Sequence, residues 1–275
     1  MGKFDGCLLA SDIDGTLLYK GKIPKINLEK IDWFKSEGGI FTLCTGRTVA
    51  ATKYSYDLSH ANAPVITFHG GAIYDFEKNK FLYSEVLDYK SREILKIIME
   101  EFPDIGVEVH SGLTMYDVKR NSVTSYHAEY ESLEFTPTHE GFENEDWTKI
   151  LLGVYEESEL FRLIDFCKRF ENENFKFMNT QNLPNARYFE ILPKNVSKGN
   201  ALGILKEKTG AKITFGIGDF YNDVELIRDA DYSAATADAP NEIKKLANYV
   251  TRPCTEGAVA DFIDKIDLYM KGSSL

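Results

Sequence analysis

The chain has 275 residues, 43% of them hydrophobic and 27% charged, an ordinary globular composition that is enough for one large domain or two smaller ones. Its net charge of −11 argues against a nucleic-acid binder, and it means that an anionic substrate must be drawn in locally, by a metal or a few basic side chains. No apolar run approaches the roughly 18 to 20 residues of a membrane helix, the N-terminus lacks a signal-peptide core, and Cys7, Cys44, Cys167 and Cys254 form neither a CxxC pair nor a zinc spacing, so a reducing, cytoplasmic location is expected.

Taken in order, the apolar run from Cys7 to Ala10 reads as a buried strand, and it ends in Asp12-Ile13-Asp14-Gly15-Thr16. Apolar positions at Leu28, Ile31, Trp33 and Phe34 predict a helix over residues 27–37, closed by Gly38-Gly39. Ile40 to Cys44 is a second strand, ending at Thr45-Gly46-Arg47, and a helix follows from Thr48. Pro64 to Phe68 is a third strand, ending at His69-Gly70-Gly71. Strand, helix, strand, helix, strand predicts right-handed crossovers in a parallel sheet.

From about Tyr83 the pattern changes. Helices are predicted over 91–102, 123–130 and 157–170, and strands over 105–109, 113–118, 150–155, 175–178 and 188–192. Thr136 to Asp146 reads as an exposed acidic loop. From Ser197 the α/β pattern resumes: a helix from Lys198 to Thr209, a strand from Ile213 to Ile217 running into Gly218-Asp219-Phe220-Tyr221-Asn222-Asp223, a helix over 224–230, short strands near 232–235 and 249–251, and a closing helix over 258–269. The fold class is therefore α/β, with a Rossmann-like parallel-sheet core made from residues 1–83 and 191–275 and interrupted by an inserted α+β domain at residues 84–190.

Four polar stretches stand at the ends of these core elements: Asp12 to Thr16, Thr45 to Arg47, Ser197-Lys198-Gly199 and Gly218 to Asp223. Each has a plain structural explanation. Thr45 could cap a helix, Lys198 could be a solvated helix-start lysine, Asp219 and Asp223 could charge a first helical turn, and Arg47 could form a surface ion pair. All four holding together, in this order, is a weaker account. Asp12 and Asp14 lie two apart and crowd one side of a strand end, which asks for a cation. Hard carboxylate oxygens with little His or Cys nearby suit Mg²⁺, and a site holding Mg²⁺, a lysine and an arginine suits a phosphate dianion.

These stretches match the four motifs of the haloacid dehalogenase superfamily of phosphatases. The run Phe189-Glu190-Ile191-Leu192-Pro193-Lys194-Asn195-Val196-Ser197-Lys198-Gly199 resembles the Cof-like IIB branch, whose cap is of type C2. The resemblance implies Asp12 as the nucleophile that forms an aspartyl-phosphate and Asp14 as the general acid and base. It implies Mg²⁺ held by Asp12, the carbonyl of Asp14 and Asp219, with Asp223 as a further metal-shell residue. Thr45, the amides of Gly46 and Ile13, Lys198 and Asn222 would face the phosphoryl group, and Arg47 would contact the substrate. An aspartate at position 14 suits phosphoester hydrolysis, although phosphomutases keep it too.

Two departures stand out. The family's usual Asn-Gly-Ala is here His69-Gly70-Gly71-Ala72, so His69 is read as a polar loop residue, with a substrate contact as the alternative. The family's Met-Gly-Asn-Ala run is replaced by Ala235-Thr236-Ala237-Asp238-Ala239-Pro240. Lys119, Arg187 and Tyr188 are candidate leaving-group contacts from the inserted domain. The expected activity is hydrolysis of a small-molecule phosphate ester, a sugar phosphate or a phosphorylated cofactor, by a monomer or small homo-oligomer with no nucleic-acid or membrane partner. The alternatives are a phosphomutase or phosphotransferase using the same site, or a regulator that binds a phosphate ligand without turnover.

Overall fold

Every residue of Cys7–Ser11 is buried, and this segment forms β1 in the interior of a parallel sheet. The computed structural model describes residues 2–171, 174–183 and 186–272. The chain divides into two compact units, Met1–Tyr83 with Ser197–Leu275, and Ser84–Val196.

The first unit continues through α1 (Lys25–Ser36), β2 (Ile40–Leu43), α2 (Val49–Ser59), β3 (Val65–Thr67), β4 (Ala72–Asp75) and β5 (Lys80–Ser84). The second unit holds α3 (Lys90–Glu101), β6 (Gly106–Ser111), β7 (Thr114–Lys119), α4 (Ser122–Glu131), β8 (Thr136–Pro137), β9 (Lys149–Val154), α5 (Glu157–Cys167), β10 (Phe175–Leu183) and β11 (Ala186–Pro193). The chain then returns to the first unit with α6 (Lys198–Thr209), β12 (Ile213–Gly218), α7 (Val224–Asp229), β13 (Tyr232–Ala235), α8 (Asn241–Lys244), β14 (Tyr249–Val250) and α9 (Ala258–Met270). β11 runs unbroken across residues 190 and 191, and the units part at Val196 and Ser197.

The main sheet of the first unit has the order β14-β13-β12-β1-β2 and is parallel throughout. β1 pairs β12 with Ser11 opposite Ile217, and β2 with Ser11 opposite Leu43. This strand order places the ends of β1, β2 and β12 side by side, and ligands of such sheets bind at those carboxyl ends.

The third strand differs from the sequence expectation. It meets the main sheet in the expected parallel sense, but only through an isolated bridge between Cys44 and Ile66, and β3 instead pairs β4 in antiparallel fashion within a small sheet of order β3-β4-β5. The reason is local. Phe68, His69 and Gly70 all have positive φ (51°, 57° and 97°), so the chain reverses at once and β4 fills the neighbouring edge.

The six-stranded sheet of the second unit has the order β10-β11-β9-β6-β7-β8. One face, with Val107, Val109, Ile150, Leu152, Phe189 and Ile191, packs with Ile94, Leu95 and Ile98 of α3 and Leu160 and Leu163 of α5. The opposite face carries Glu108, His110, Lys149, Leu151, Tyr188 and Glu190, as the period of two requires. Val123 and Tyr126 of α4 pack on that face against Leu151 and Tyr188. The acidic stretch read as an exposed loop is only partly so: Phe142 is buried with its ring 4.9 Å from Trp147. No helix among the described residues is long and apolar enough to cross a membrane.

Candidate active site

Asp12 extends the β1–β12 pairing by one step, its amide donating to the Ile217 carbonyl at 3.0 Å. Cys44 does the same on the other side, its amide donating to the Ser11 carbonyl at 2.8 Å. These two bonds bring residue 12, the 45–47 turn and the 218–223 turn to one edge of the sheet.

Lys198 opens α6, whose first turn is capped by the Ser197 hydroxyl accepting from the Asn200 amide at 3.0 Å. Its side chain is fully buried, and Nζ donates to Asp12 Oδ1 at 2.6 Å and to Asp223 Oδ1 at 2.5 Å. A buried cation at a helix N-terminus is disfavoured twice, by desolvation and by the dipole. Burial alone would lower the Lys198 pKa, but the carboxylates of Asp12 and Asp223 outweigh it and hold the ammonium above its ordinary value. Asp223 Oδ2 accepts from the amides of Asp219 and Phe220 at 3.0 and 3.1 Å, so both of its oxygens have partners within the protein.

Asp219 is oriented by Thr16, whose hydroxyl donates to Oδ1 at 2.9 Å. Its Oδ2 lies over Gly15, where φ is +83° and a Cβ would overlap that oxygen. Asp12, Asp219 and Asp223 each offer a carboxylate oxygen, all within 4.8 Å of one another. Burial first, then repulsion from Asp223, pushes Asp12 well above the usual carboxylate range and Asp219 up to about 7. With all three ionised, these carboxylates face one ammonium, an excess of two negative charges that a divalent cation would cancel. Oxygen donors crowded this way fit Mg²⁺.

Asp14 stands apart from that cluster. Both of its oxygens accept from Arg47, Oδ2 from Nε at 2.8 Å and Oδ1 from Nη2 at 2.7 Å. Arg47, expected at the substrate, is thus placed on Asp14. Thr45 is buried, and its Oγ1 accepts from the Arg47 amide at 3.2 Å. Gly46 is covered by the imidazole of His69, which a Cβ there would overlap. His69 is buried rather than a polar loop residue, and its amide donates to the Thr45 carbonyl at 3.0 Å. The Ile13 side chain is in the core while its carbonyl accepts from the amides of Leu17 and Leu18. Asn222 sits half-buried in the short turn Tyr221–Asp223 beside Asp219.

The residues suggested from the inserted domain are engaged within their own unit. Lys119 Nζ donates to the Pro103 carbonyl. Tyr188 is buried with its ring 5.1 Å from that of His127. Arg187 Nη1 donates to the Ala186 carbonyl at 3.2 Å. Sequence reasoning assigned no role to Thr16, although its place beside Asp14 and Gly15 was a signal. It also passed over the contact between His69 and Gly46, which depends on a left-handed non-glycine residue.

The chain matches the haloacid dehalogenase-like hydrolase family over residues 9–263. A Streptococcus pyogenes protein that bears a provisional phosphatase name is 28% identical over 271 residues, covering 94% of this chain and 97% of that one. The 5-amino-6-(5-phospho-D-ribitylamino)uracil phosphatase YwtE of Bacillus subtilis is 26% identical over 290 residues, covering 94% and 97%. Among solved structures, the subclass IIB sugar phosphatase BT4131 superposes with a TM-score of 0.78 at 19% identity, covering 94% of this chain and 98% of that one. A fold of this kind, with Asp12, Lys198, Asp219 and Asp223 gathered at the carboxyl ends of its central strands and a match that spans nearly its whole length, identifies the chain as a member of the haloacid dehalogenase-like hydrolase family.

Proposed function

We propose that this chain is a Mg²⁺-dependent phosphomonoester hydrolase that works through an aspartyl-phosphate on Asp12. The observation that carries this is the buried Lys198 ammonium shared by Asp12 and Asp223, with Asp219 beside them. Asp12 Oδ1 is tied to Lys198, which orients the carboxylate and leaves Oδ2 as the attacking atom. In the first step a bond forms between Asp12 Oδ2 and phosphorus, the bond from phosphorus to the ester oxygen breaks, and Asp14 gives that oxygen a proton. In the second step water attacks phosphorus, its proton passes to Asp14, and the bond to Asp12 breaks to release inorganic phosphate.

Asp12, the carbonyl of Asp14 and Asp219 would hold Mg²⁺, which supplies charge neutralisation for the phosphoryl oxygens when bound. Asp223 acts one layer out, because its oxygens serve Lys198 and two amides. The Thr45 hydroxyl, the Gly46 and Ile13 amides, Asn222 and Lys198 bind the phosphoryl group.

The substrate class is a small phosphorylated metabolite, a sugar phosphate or a phosphorylated cofactor. BT4131 is named a sugar phosphatase and YwtE a 5-amino-6-(5-phospho-D-ribitylamino)uracil phosphatase, both names of small phosphate-ester substrates. A cytoplasmic location fits four buried, free thiols. The test is p-nitrophenyl phosphate turnover with and without Mg²⁺, for the wild type and Asp12→Asn. Metal-dependent release of phosphate that the substitution abolishes is expected; undiminished turnover by Asp12→Asn would refute the assignment.

A further inference from the structure

Arg47 is held more firmly than the carboxylate it binds. Its amide donates to Thr45 Oγ1 at 3.2 Å, its carbonyl accepts from the Phe68 amide at 3.0 Å, and Nη1 reaches the Ala51 carbonyl in the first turn of α2 at 3.5 Å. The Arg47 side chain is 18% exposed, whereas that of Asp14 is 42% exposed. The guanidinium is the anchored member of the pair, and Asp14 is the member that reaches outward.

We infer that Arg47 is a positioning residue, which fixes the plane and rotamer of Asp14 and acts on the reaction only through it. The inference rests on the hydrolase reading above. Two charge-assisted bonds in fork geometry set the carboxylate in a way one bond does not. An ionised carboxylate has about four acceptor sites. The fork takes one on each oxygen, so a site on each oxygen remains on the outward side for the proton that Asp14 gives and receives. The fork takes Nε–H and one Nη2–H, and a third donor on Nη1 reaches Ala51, so the bidentate edge of the guanidinium is committed to Asp14. Lysine at this position would keep the charge but not the bidentate hold.

Two esters separate these roles. The p-nitrophenolate leaving group departs without being protonated, whereas an alkyl phosphate such as glycerol 1-phosphate needs a proton on the departing oxygen. The ratio kcat/KM reports the steps up to that departure. Arg47→Lys and Arg47→Gln are expected to lower kcat/KM for the alkyl ester by about tenfold or more, the scale of a partly disabled general acid. For the aryl ester kcat/KM stays within about threefold, and the inhibition constant of inorganic phosphate is unchanged. In an Asp14→Asn background, Arg47→Gln should add no further loss.

Parallel losses on both esters, weakened inhibition by phosphate, or full additivity with Asp14→Asn would overturn the positioning role. Thermal melts accompany each variant, and Arg47→Lys carries the test if Arg47→Gln does not fold. Wild-type protein that cleaves neither ester, or Asp12→Asn that cleaves both, overturns the hydrolase reading itself and this inference with it; parallel losses sink the positioning role alone.

Discussion

The hydroxyl of Thr16 donates to Asp219 Oδ1 at 2.9 Å across a separation of 203 positions in the chain. With Oδ1 so held, Oδ2 lies over Gly15, and the carboxylate offers an oxygen within 4.8 Å of those of Asp12 and Asp223. Partners that orient a metal ligand affect metal affinity by about 10- to 100-fold. Thr16→Val is therefore expected to raise the Mg²⁺ concentration for half-maximal activity by about tenfold or more while leaving the melting temperature nearly unchanged. A Mg²⁺ titration of phosphatase activity checks this, and an unaltered half-saturation point would remove Asp219 from the metal set.

Gly15 gives a second handle on the same carboxylate. Alanine there meets a left-handed backbone, a cost of about 1–2 kcal/mol, and its Cβ overlaps Asp219 Oδ2. Gly15→Ala should lose both stability and metal-supported turnover. Gly21, also left-handed but with open space around it, is the control. Gly21→Ala is expected to lose stability alone, as read by paired urea melts and activity assays.

Among the described residues, Lys198 is the one cation bonded to the buried carboxylates of Asp12 and Asp223. Lys198→Met leaves both without it. Breaking a buried pair from one side costs about 3–5 kcal/mol. Urea denaturation should show a loss of that size, partly recovered when Asp223→Asn is added. An unchanged midpoint would mean that the pair contributes nothing to the fold.

The second unit carries a separate, pH-sensitive cluster. Glu108 Oε2 lies 2.8 Å from His127 Nδ1 and 3.5 Å from His110 Nε2, with Lys149, Glu131 and Tyr188 around them. Burial would raise the Glu108 carboxyl, but His127 and His110 hold it down at about 2. Burial pushes His110 down to about 4. Burial also opposes the charge on His127, but Glu108 outweighs it and the net shift is upward.

The signs follow from where each group titrates in the unfolded chain. The Glu108 contribution is complete above the ordinary 4.5 and is lost as pH falls toward 2. The His110 contribution is complete above the ordinary 6.5 and is lost as pH falls through about 4. The His127 contribution is complete below 6.5 and is lost as pH rises through its raised folded value. Stability of this unit is expected to peak near pH 6.5. His127→Gln should flatten the alkaline side and His110→Gln the acid side. In a Trp33→Phe background, fluorescence of the buried Trp147 follows this unit during urea melts at several pH values.

The parallel sheet was legible because Leu8 to Ala10 and Phe215 to Ile217 are unbroken apolar runs that end in aspartates, the pattern of strands buried on both faces. Lys198 and Asp219 were legible as residue types at helix and strand ends. Their meeting was not, because it depends on the β1–β12 register rather than on spacing. Gly70 and Gly71 announced a turn after β3, but the immediate β3–β4 reversal also rests on positive φ at Phe68 and His69, which residue type does not foretell. Burial of Phe142 was hidden by the acidic residues around it. The fork between Asp14 and Arg47 joins residues 33 positions apart and leaves no periodic trace, so the arginine read more naturally as a substrate contact.

β1 is hydrogen-bonded along both edges, and the Asp12 amide is itself donated to Ile217. Amides in such a position exchange with solvent deuterium only when the whole unit opens, an event far rarer than loop motion. The turn that follows is held by isolated bridges rather than a continuous ladder, Asp14 with Leu18 and Tyr19 with Lys22. Asp12 therefore rides on the part of the unit with the slowest clock. In the proposed reaction β1 is the floor that stays shut through very many cycles, and motion belongs to what surrounds it.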